Sequence, residues 1–234
     1  VSFDVERGEV HAVVGENGAG KSTLMKILGG LYPADFGEIT INGKKTAIRG
    51  VLDSLKSGIS VIYQEFNLVP MLTVAENIFL TRLPGKSGVV NRKKLNEKCS
   101  ELMHELKLDI NPSSMVSELS VSEMQMVEIA KAVSFDSAIV IMDEPTASLN
   151  DKEVATLYRL IDDLKKRGTT ILYISHRMKE IFDLSDRITV LRDGCKIGTY
   201  NTNEITEEEL IHKMVGRDIP KFYHSNDNEN SETG

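Results

Sequence analysis

The sequence has little cysteine, no basic excess, no long apolar run and no internal repeat. Its two cysteines, Cys99 and Cys195, are far apart and match no metal-ligand spacing. Reduced cytosolic thiols are the expectation. No run of about 18 apolar residues occurs, which argues against a membrane-spanning helix in this sequence. No secretory signal pattern is visible. Acidic residues outnumber basic ones, 35 to 28, for a formal net charge of −7. A protein that grips nucleic-acid phosphates usually carries a basic face, because Lys and Arg must replace counterions. No nucleic-acid partner is expected.

What is present suits a globular protein with a real core. The chain has 234 residues, 41% hydrophobic and 27% charged, within the range of one large domain or one domain with a subdomain. It opens with VSFDVERGEV, which reads as a strand already under way before a turn at Gly8, so a missing start is expected. The far end, HSNDNENSETG, is polar and without apolar period, and reads as a linker or tail over 218–234.

Between these ends, strands alternate with helices. Val10 to Val14 is a short apolar run that leads into GENGAGKST and then a helix with Leu24, Ile27, Leu28 and Leu31 at helical spacing. Glu38 to Asn42 alternates and turns at Asn42-Gly43, a hairpin signal. Ile59 to Tyr63 is another strand. From about 65 to 135 the sequence is rich in Met, Leu, Lys and Glu, strands are not evident, and a helical insertion is expected. Ala138 to Met142 is an uninterrupted apolar run that suits a strand buried on both faces of a parallel sheet. A helix with Val154, Leu157, Ile161 and Leu164 on one face follows and stops at Gly168. Thr169 to Ile174 is a strand, and Ile188–Leu191 with Lys196–Thr199 flank the turn Asp193-Gly194. The expected fold class is α/β, with a mostly parallel sheet, an antiparallel portion and a helical subdomain. The core is expected over 1–64 and 136–217, with the helical part over 65–135.

Gly15-x-x-x-x-Gly20-Lys21-Ser22 is a phosphate-loop pattern. Glycines let backbone N–H groups turn inward around phosphate oxygens, where a Cβ would obstruct. The helix beginning near Lys21 adds its positive dipole end. The candidate nucleotide-binding residues are Gly15, Glu16, Asn17, Gly18, Ala19, Gly20, Lys21, Ser22 and Thr23. Lys21 can reach the β- and γ-phosphates, and Ser22 can offer its hydroxyl to Mg²⁺. The strand Ile139–Met142 ends in Asp143 and Glu144. Asp143 is placed to hold Mg²⁺, directly or through water. Glu144, one residue further, is placed to orient the attacking water or accept its proton. These elements indicate a P-loop nucleotidase without saying which kind.

Further strings carry a resemblance over nearly the whole chain. Leu119-Ser120-Val121-Ser122-Glu123, with Gln125 placed to cap back onto Ser122, looks like the signature loop of the ABC ATPase family. Asp143-Glu144-Pro145-Thr146-Ala147-Ser148-Leu149 is similar to that family's segment leading to the dimer interface. Gln64 matches the family's glutamine that contacts Mg²⁺ and faces the membrane partner. His176, in Ile174-Ser175-His176, matches its switch histidine, which contacts the γ-phosphate. The resemblance implies two ATPase units head to tail, with each ATP between the phosphate loop of one and Ser120 and Ser122 of the other. Within the family, YQEFNLVPMLTVAENIFL, QMVEIAKAVS and YISHRMKEIFDLSDRITVLRDG look like the ribose and galactose importer branch.

That branch implies MgATP-driven uptake of a simple sugar, with Lys21, Gln64, Glu144 and His176 in catalysis and Ser22, Gln64 and Asp143 toward the metal. The implied partners are a second ATPase half, transmembrane permease subunits and, indirectly, a sugar-binding protein. The implied location is the cytoplasmic face of the cell membrane. This chain would be the first half of a two-half polypeptide. Nucleoside importers look similar, and a regulatory module that binds ATP without turnover is the other alternative. Several positions depart from the pattern. Val121 and Ser122 stand where glycines are common, Glu123 where glutamine is usual, and Asn150 where aspartate is usual. The site built with this signature loop is expected to be the weaker one. The family's adenine-stacking aromatic would precede Val1. Its loss is expected to cost about 0.5–1.5 kcal/mol of nucleotide binding.

Overall fold

The structure, a computed structural model, describes residues 1–86 and 89–216. The expected tail, 218–234, lies outside them. The element order is β1 (Val10–Val14), α1 (Lys21–Leu28), β2 (Ile39–Ile41), β3 (Lys44–Thr46), α2 (Val51–Lys56), β4 (Ile59–Ile62), α3 (Val74–Ile78), β5 (Gly85–Lys86), β6 (Val89–Val90), α4 (Arg92–Glu105) and α5 (Val121–Val133). It continues with β7 (Ile139–Asp143), α6 (Asp151–Lys166), β8 (Thr170–Ile174), α7 (Met178–Leu184), β9 (Arg187–Arg192), β10 (Cys195–Asn201) and α8 (Glu207–Val215).

The main sheet runs β10-β9-β1-β8-β7-β4. Every neighbouring pair is parallel except β10–β9, which closes one edge as an antiparallel hairpin. Its central strands are continuous apolar runs because both faces are covered. Alternate side chains therefore enter different cores. Val13, Ile141, Leu172, Ile174 and Leu191 join Met25 of α1 and Ile59 on one face. Ala12, Val140, Met142, Ile171 and Tyr173 join the larger cluster on the other. Each fully buried large side chain contributes about 1.5–3 kcal/mol. His11 is the polar exception within β1. Its ring nitrogens meet Glu9 Oε1 at 2.8 Å and Thr189 Oγ1 at 2.7 Å, which offsets its burial.

The larger cluster does not stop at the sheet. Val74 and Ile78 of α3, Leu95, Cys99 and Met103 of α4, and Val127 and Ile129 of α5 belong to it. The helical stretch thus shares the core of the sheet. It also holds the short antiparallel pair β5–β6, which its composition had hidden.

Three local expectations are corrected. Residues 1–6 form no strand, because they have no ladder partner among the described residues. Phe3 instead stacks on His11 at 5.6 Å. Helix α1 ends at Leu28, since Gly29 and Gly30 cap it and Gly30 turns to φ 76°. Leu31 therefore lies beyond the helix and is 48% exposed. Gln125 does not cap Ser122. It is buried within α5, and its Oε1 accepts from Ser148 Oγ at 3.5 Å.

Candidate nucleotide site

Four adjacent parallel strands, β1, β8, β7 and β4, deliver the candidate residues side by side at their carboxyl ends. The phosphate loop follows β1, His176 follows β8, Asp143 and Glu144 end β7, and Gln64 lies two residues after β4. With strands about 4.8 Å apart, the ends of β1 and β7 are about 10 Å apart, a span that α1 bridges. Ligands in open α/β sheets bind at this edge.

The loop shape follows from its glycines. A Cβ on Gly15 would lie 2.2 Å from the carbonyl oxygen of Leu191, so only glycine fits against the β9–β10 hairpin. Gly20 caps α1 in the left-handed region, φ 99°, and offers no side chain to the first-turn N–H groups. The first turn of α1 also contains no acid. Its N–H donors are thus left for an external anion. Glu16, Asn17, Gly18, Ser22 and Thr23 are exposed, whereas Ala19 is buried and anchors the loop.

The ammonium of Lys21 folds over the loop, donating to the carbonyls of Gly15 at 2.7 Å and Glu16 at 3.0 Å. Burial lowers its pKa, while the charges of Glu144 and Asp143 work in the opposite direction. Asp143 is 6% exposed. Burial raises its pKa, opposed by a hydrogen bond from Ser22 and by Lys21 and Lys26. Ser22 and Asp143 thus form one oxygen-rich corner beside the loop. Among the described residues, no group of three or more His, Cys, Asp or Glu could hold a metal on its own. The corner offers one carboxylate and one hydroxyl, hard oxygen ligands of the kind Mg²⁺ takes.

Glu144 is a residue in left-handed backbone, φ 51°, a conformation that costs a non-glycine residue about 1–3 kcal/mol. Its N–H donates to Ile174 O at 2.9 Å, which extends the β7–β8 ladder past the strand. Its Oε2 lies 2.8 Å from His176 Nδ1. Burial raises the pKa of Glu144; the bond to His176 opposes this, and the charges of Asp143 and Glu180 add to it. The acid is 13% exposed and the imidazole 73%. The pair therefore sits with its carboxylate covered and its histidine open.

Gln64 is exposed at the same edge. Ser120 and Ser122 are elsewhere, at the N-terminus of α5, and make no hydrogen bond to the phosphate loop among the described residues. Ser120 is the N-cap of α5, and its partner is Glu123. The Ser-x-x-Glu signal for this capping box stands in the sequence.

A sequence model of the ABC transporter family matches residues 1–147, more than half of the chain. A protein of Burkholderia lata, named as a ribose/galactose/methyl galactoside import ATP-binding protein, is 50% identical over 224 residues, which is 95% of this chain and 42% of the relative. The chain thus spans less than half the length of that curated relative. A nucleotide-free ATP-binding cassette from an ABC transporter superposes with a TM-score of 0.78 at 27% identity, over 93% of this chain and 88% of the other. A dimeric cassette in a post-hydrolysis state, bound to ADP and Pi, gives a TM-score of 0.72 at 25% identity, over 86% and 88%. With the loop, acid pair and histidine on three neighbouring strands, and a family match across the loop and the acid pair, the chain belongs to the ABC transporter family.

Proposed function

We propose that the chain binds and hydrolyses ATP and drives import of a simple sugar of the ribose or galactose type. The observation that carries the hydrolytic reading is the covered carboxylate of Glu144, held 2.8 Å from His176 beside the phosphate loop. The name of the Burkholderia relative supports the sugar.

In this reading the loop N–H groups and the α1 N-terminus cradle the phosphates. Lys21 exchanges its two loop carbonyls for β- and γ-phosphate oxygens. Ser22, Asp143 and Gln64 would hold Mg²⁺, which when bound neutralises charge on the phosphates. Glu144 accepts a proton from the attacking water, in the left-handed turn that aims it away from the strand. His176 orients Glu144 through Nδ1. With Nδ1–H donated to the carboxylate, a second N–H at Nε2 exists only in the imidazolium form.

Ser120 and Ser122, at the N-terminus of α5, make no hydrogen bond to this chain's own loop among the described residues. They would complete the site of a facing unit, as the dimeric form of the ADP-bound relative suggests. The helical stretch with Gln64 at its hinge would pass closure to permease subunits at the cytoplasmic membrane face. A substrate-binding protein would act one step further away. Among the described residues no helix is long and apolar enough to cross a membrane, so membrane attachment would come from those subunits.

A second reading, a module that binds ATP without turnover, is favoured by one observation. The carboxylate of Glu123 occupies the Ser120 N–H that would meet phosphate. Reconstitution of the full-length protein with its permease in vesicles separates these readings. ATP-dependent uptake of labelled ribose or galactose is expected. Uptake of nucleoside alone would contradict the sugar assignment, and absence of ATP consumption would contradict the hydrolytic one.

A further inference from the structure

Glu180 lies on α7, just after His176, and is 4% exposed. Its carboxylate accepts four hydrogen bonds. Oε1 accepts from Thr146 Oγ1 at 2.7 Å and from Arg177 Nη1 at 3.4 Å. Oε2 accepts from Tyr173 OH at 2.9 Å and Ser175 Oγ at 2.8 Å. Thr146, Tyr173 and Ser175 are at most 2% exposed, so water does not replace a lost partner there.

The donors are not scattered. Thr146 comes two residues after Glu144, and Ser175 and Arg177 flank His176. Ser175 Oγ also accepts the N–H of Arg177 at 3.0 Å, which wraps the chain around the histidine. Glu144 stands in left-handed backbone, which persists in a non-glycine residue only where its surroundings over-determine it. On one side it is fixed by its own N–H on Ile174 O at 2.9 Å. On the other side, Thr146 supplies a fixed point through Glu180.

We propose that Glu180 is a positioning residue that sets the 2.8 Å contact between Glu144 and His176 by tying together the two segments that carry them. The inference rests on the reading of Glu144 as the group that activates water. Glu180 does not touch the reacting atoms. It fixes Thr146 and Ser175, and through them the turns that aim the base and its histidine.

Tyr173 provides an internal control. It gives the same carboxylate a hydrogen bond, yet it lies within β8, where ladders to Ala12 and Met142 fix it independently. Thr146→Val, Ser175→Ala and Tyr173→Phe each remove one buried donor and should lower Tm, Ser175→Ala the most because the Arg177 N–H also loses its acceptor. In the full-length protein, Thr146→Val and Ser175→Ala should lower kcat by about tenfold or more, with KM for ATP within about twofold. Tyr173→Phe should keep kcat within about twofold, and Thr146→Ser, which restores the hydroxyl, should recover it. The His176 ring resonances of the nucleotide-free protein should shift in Thr146→Val and Ser175→Ala but not in Tyr173→Phe.

Loss of Tm in all three variants, with kcat and the His176 resonances unchanged, would overturn the proposal. So would an equal fall of kcat in Tyr173→Phe. A wild-type protein without turnover would instead contradict the hydrolytic reading, and the His176 resonances would still decide the role of Glu180.

Discussion

Ser120 donates both its backbone N–H, at 2.8 Å, and its hydroxyl, at 2.7 Å, to the same oxygen of Glu123. Helix α5 therefore opens on its own carboxylate. These bonds hold the Glu123 carboxyl below the ordinary range, so it stays ionised, and both groups that hold it belong to a neutral serine. A γ-phosphate approaching this helix end meets a fixed negative charge. Removing it should favour approach by about 1 kcal/mol at close range in water. The double variant Ser122→Gly, Glu123→Gln keeps the capping box, since glutamine can still accept from Ser120. In the paired full-length protein it should raise turnover by about fivefold. Unchanged turnover would contradict the idea that this loop builds the weaker site.

The pH dependence of kcat/KM follows from the environment of Glu144. Burial raises its pKa above the ordinary 4.5, as do the charges of Asp143 and Glu180, while His176 opposes them. The base must be ionised to accept a proton, so the acid limb should lie above pH 4.5. His176→Ala removes the opposing bond, and its residual activity should show a limb at still higher pH. A limb that moves to lower pH in this variant would contradict the assignment.

Gly15 tests the loop geometry. In Gly15→Ala the new methyl would meet the Leu191 carbonyl oxygen at 2.2 Å and Ala19 Cβ at 3.0 Å, which leaves no easy escape. The variant should lose about 1–3 kcal/mol in urea unfolding. It should also weaken ATP binding, because the loop must shift off its cradle. Gly18→Ala should cost less sterically, because a Cβ there meets nothing within 4 Å. Equal stability of wild type and Gly15→Ala would refute the packing argument.

Glu128 of α5 joins the signature helix to the segment after Gln64. It is 5% exposed, accepts the Asn67 N–H at 2.6 Å, and has Lys131 Nζ 3.9 Å away. Burial raises its pKa above 4.5, against Lys131 and Asn67. The folded state thus prefers the neutral acid. Its contribution to stability is full below pH 4.5 and is lost as pH rises through the raised value. Glu128→Gln keeps an acceptor for Asn67 and has no such loss. Its Tm relative to wild type should climb with pH across this window and then level off. A difference that shrinks with rising pH would contradict the sign.

Much of this site was legible because its parts are local. The loop, the acid pair after β7 and the strand runs each occupy a few consecutive residues, and parallel strands buried on both faces read as unbroken apolar segments. The left-handed turn at Glu144 was not legible, since no glycine or asparagine marks it and only tertiary contacts impose it. Glu180 was hidden because one acid on a short helix looks like surface until Thr146, Tyr173 and Ser175 converge on it. The capping of α5 is legible in Ser120-x-x-Glu123, whereas the burial of Gln125 depends on the packing of α5 and leaves no local mark in the sequence. Strands β5 and β6 have only two residues each, too short for any alternation to show.

The central claim is that Glu144 activates water for ATP hydrolysis. It is tested most directly by MgATP turnover of the full-length protein beside its Glu144→Gln variant, with ATP binding measured on both. The account predicts turnover lowered by about a hundredfold or more in the variant while ATP binding persists. Turnover equal in the two proteins would contradict it.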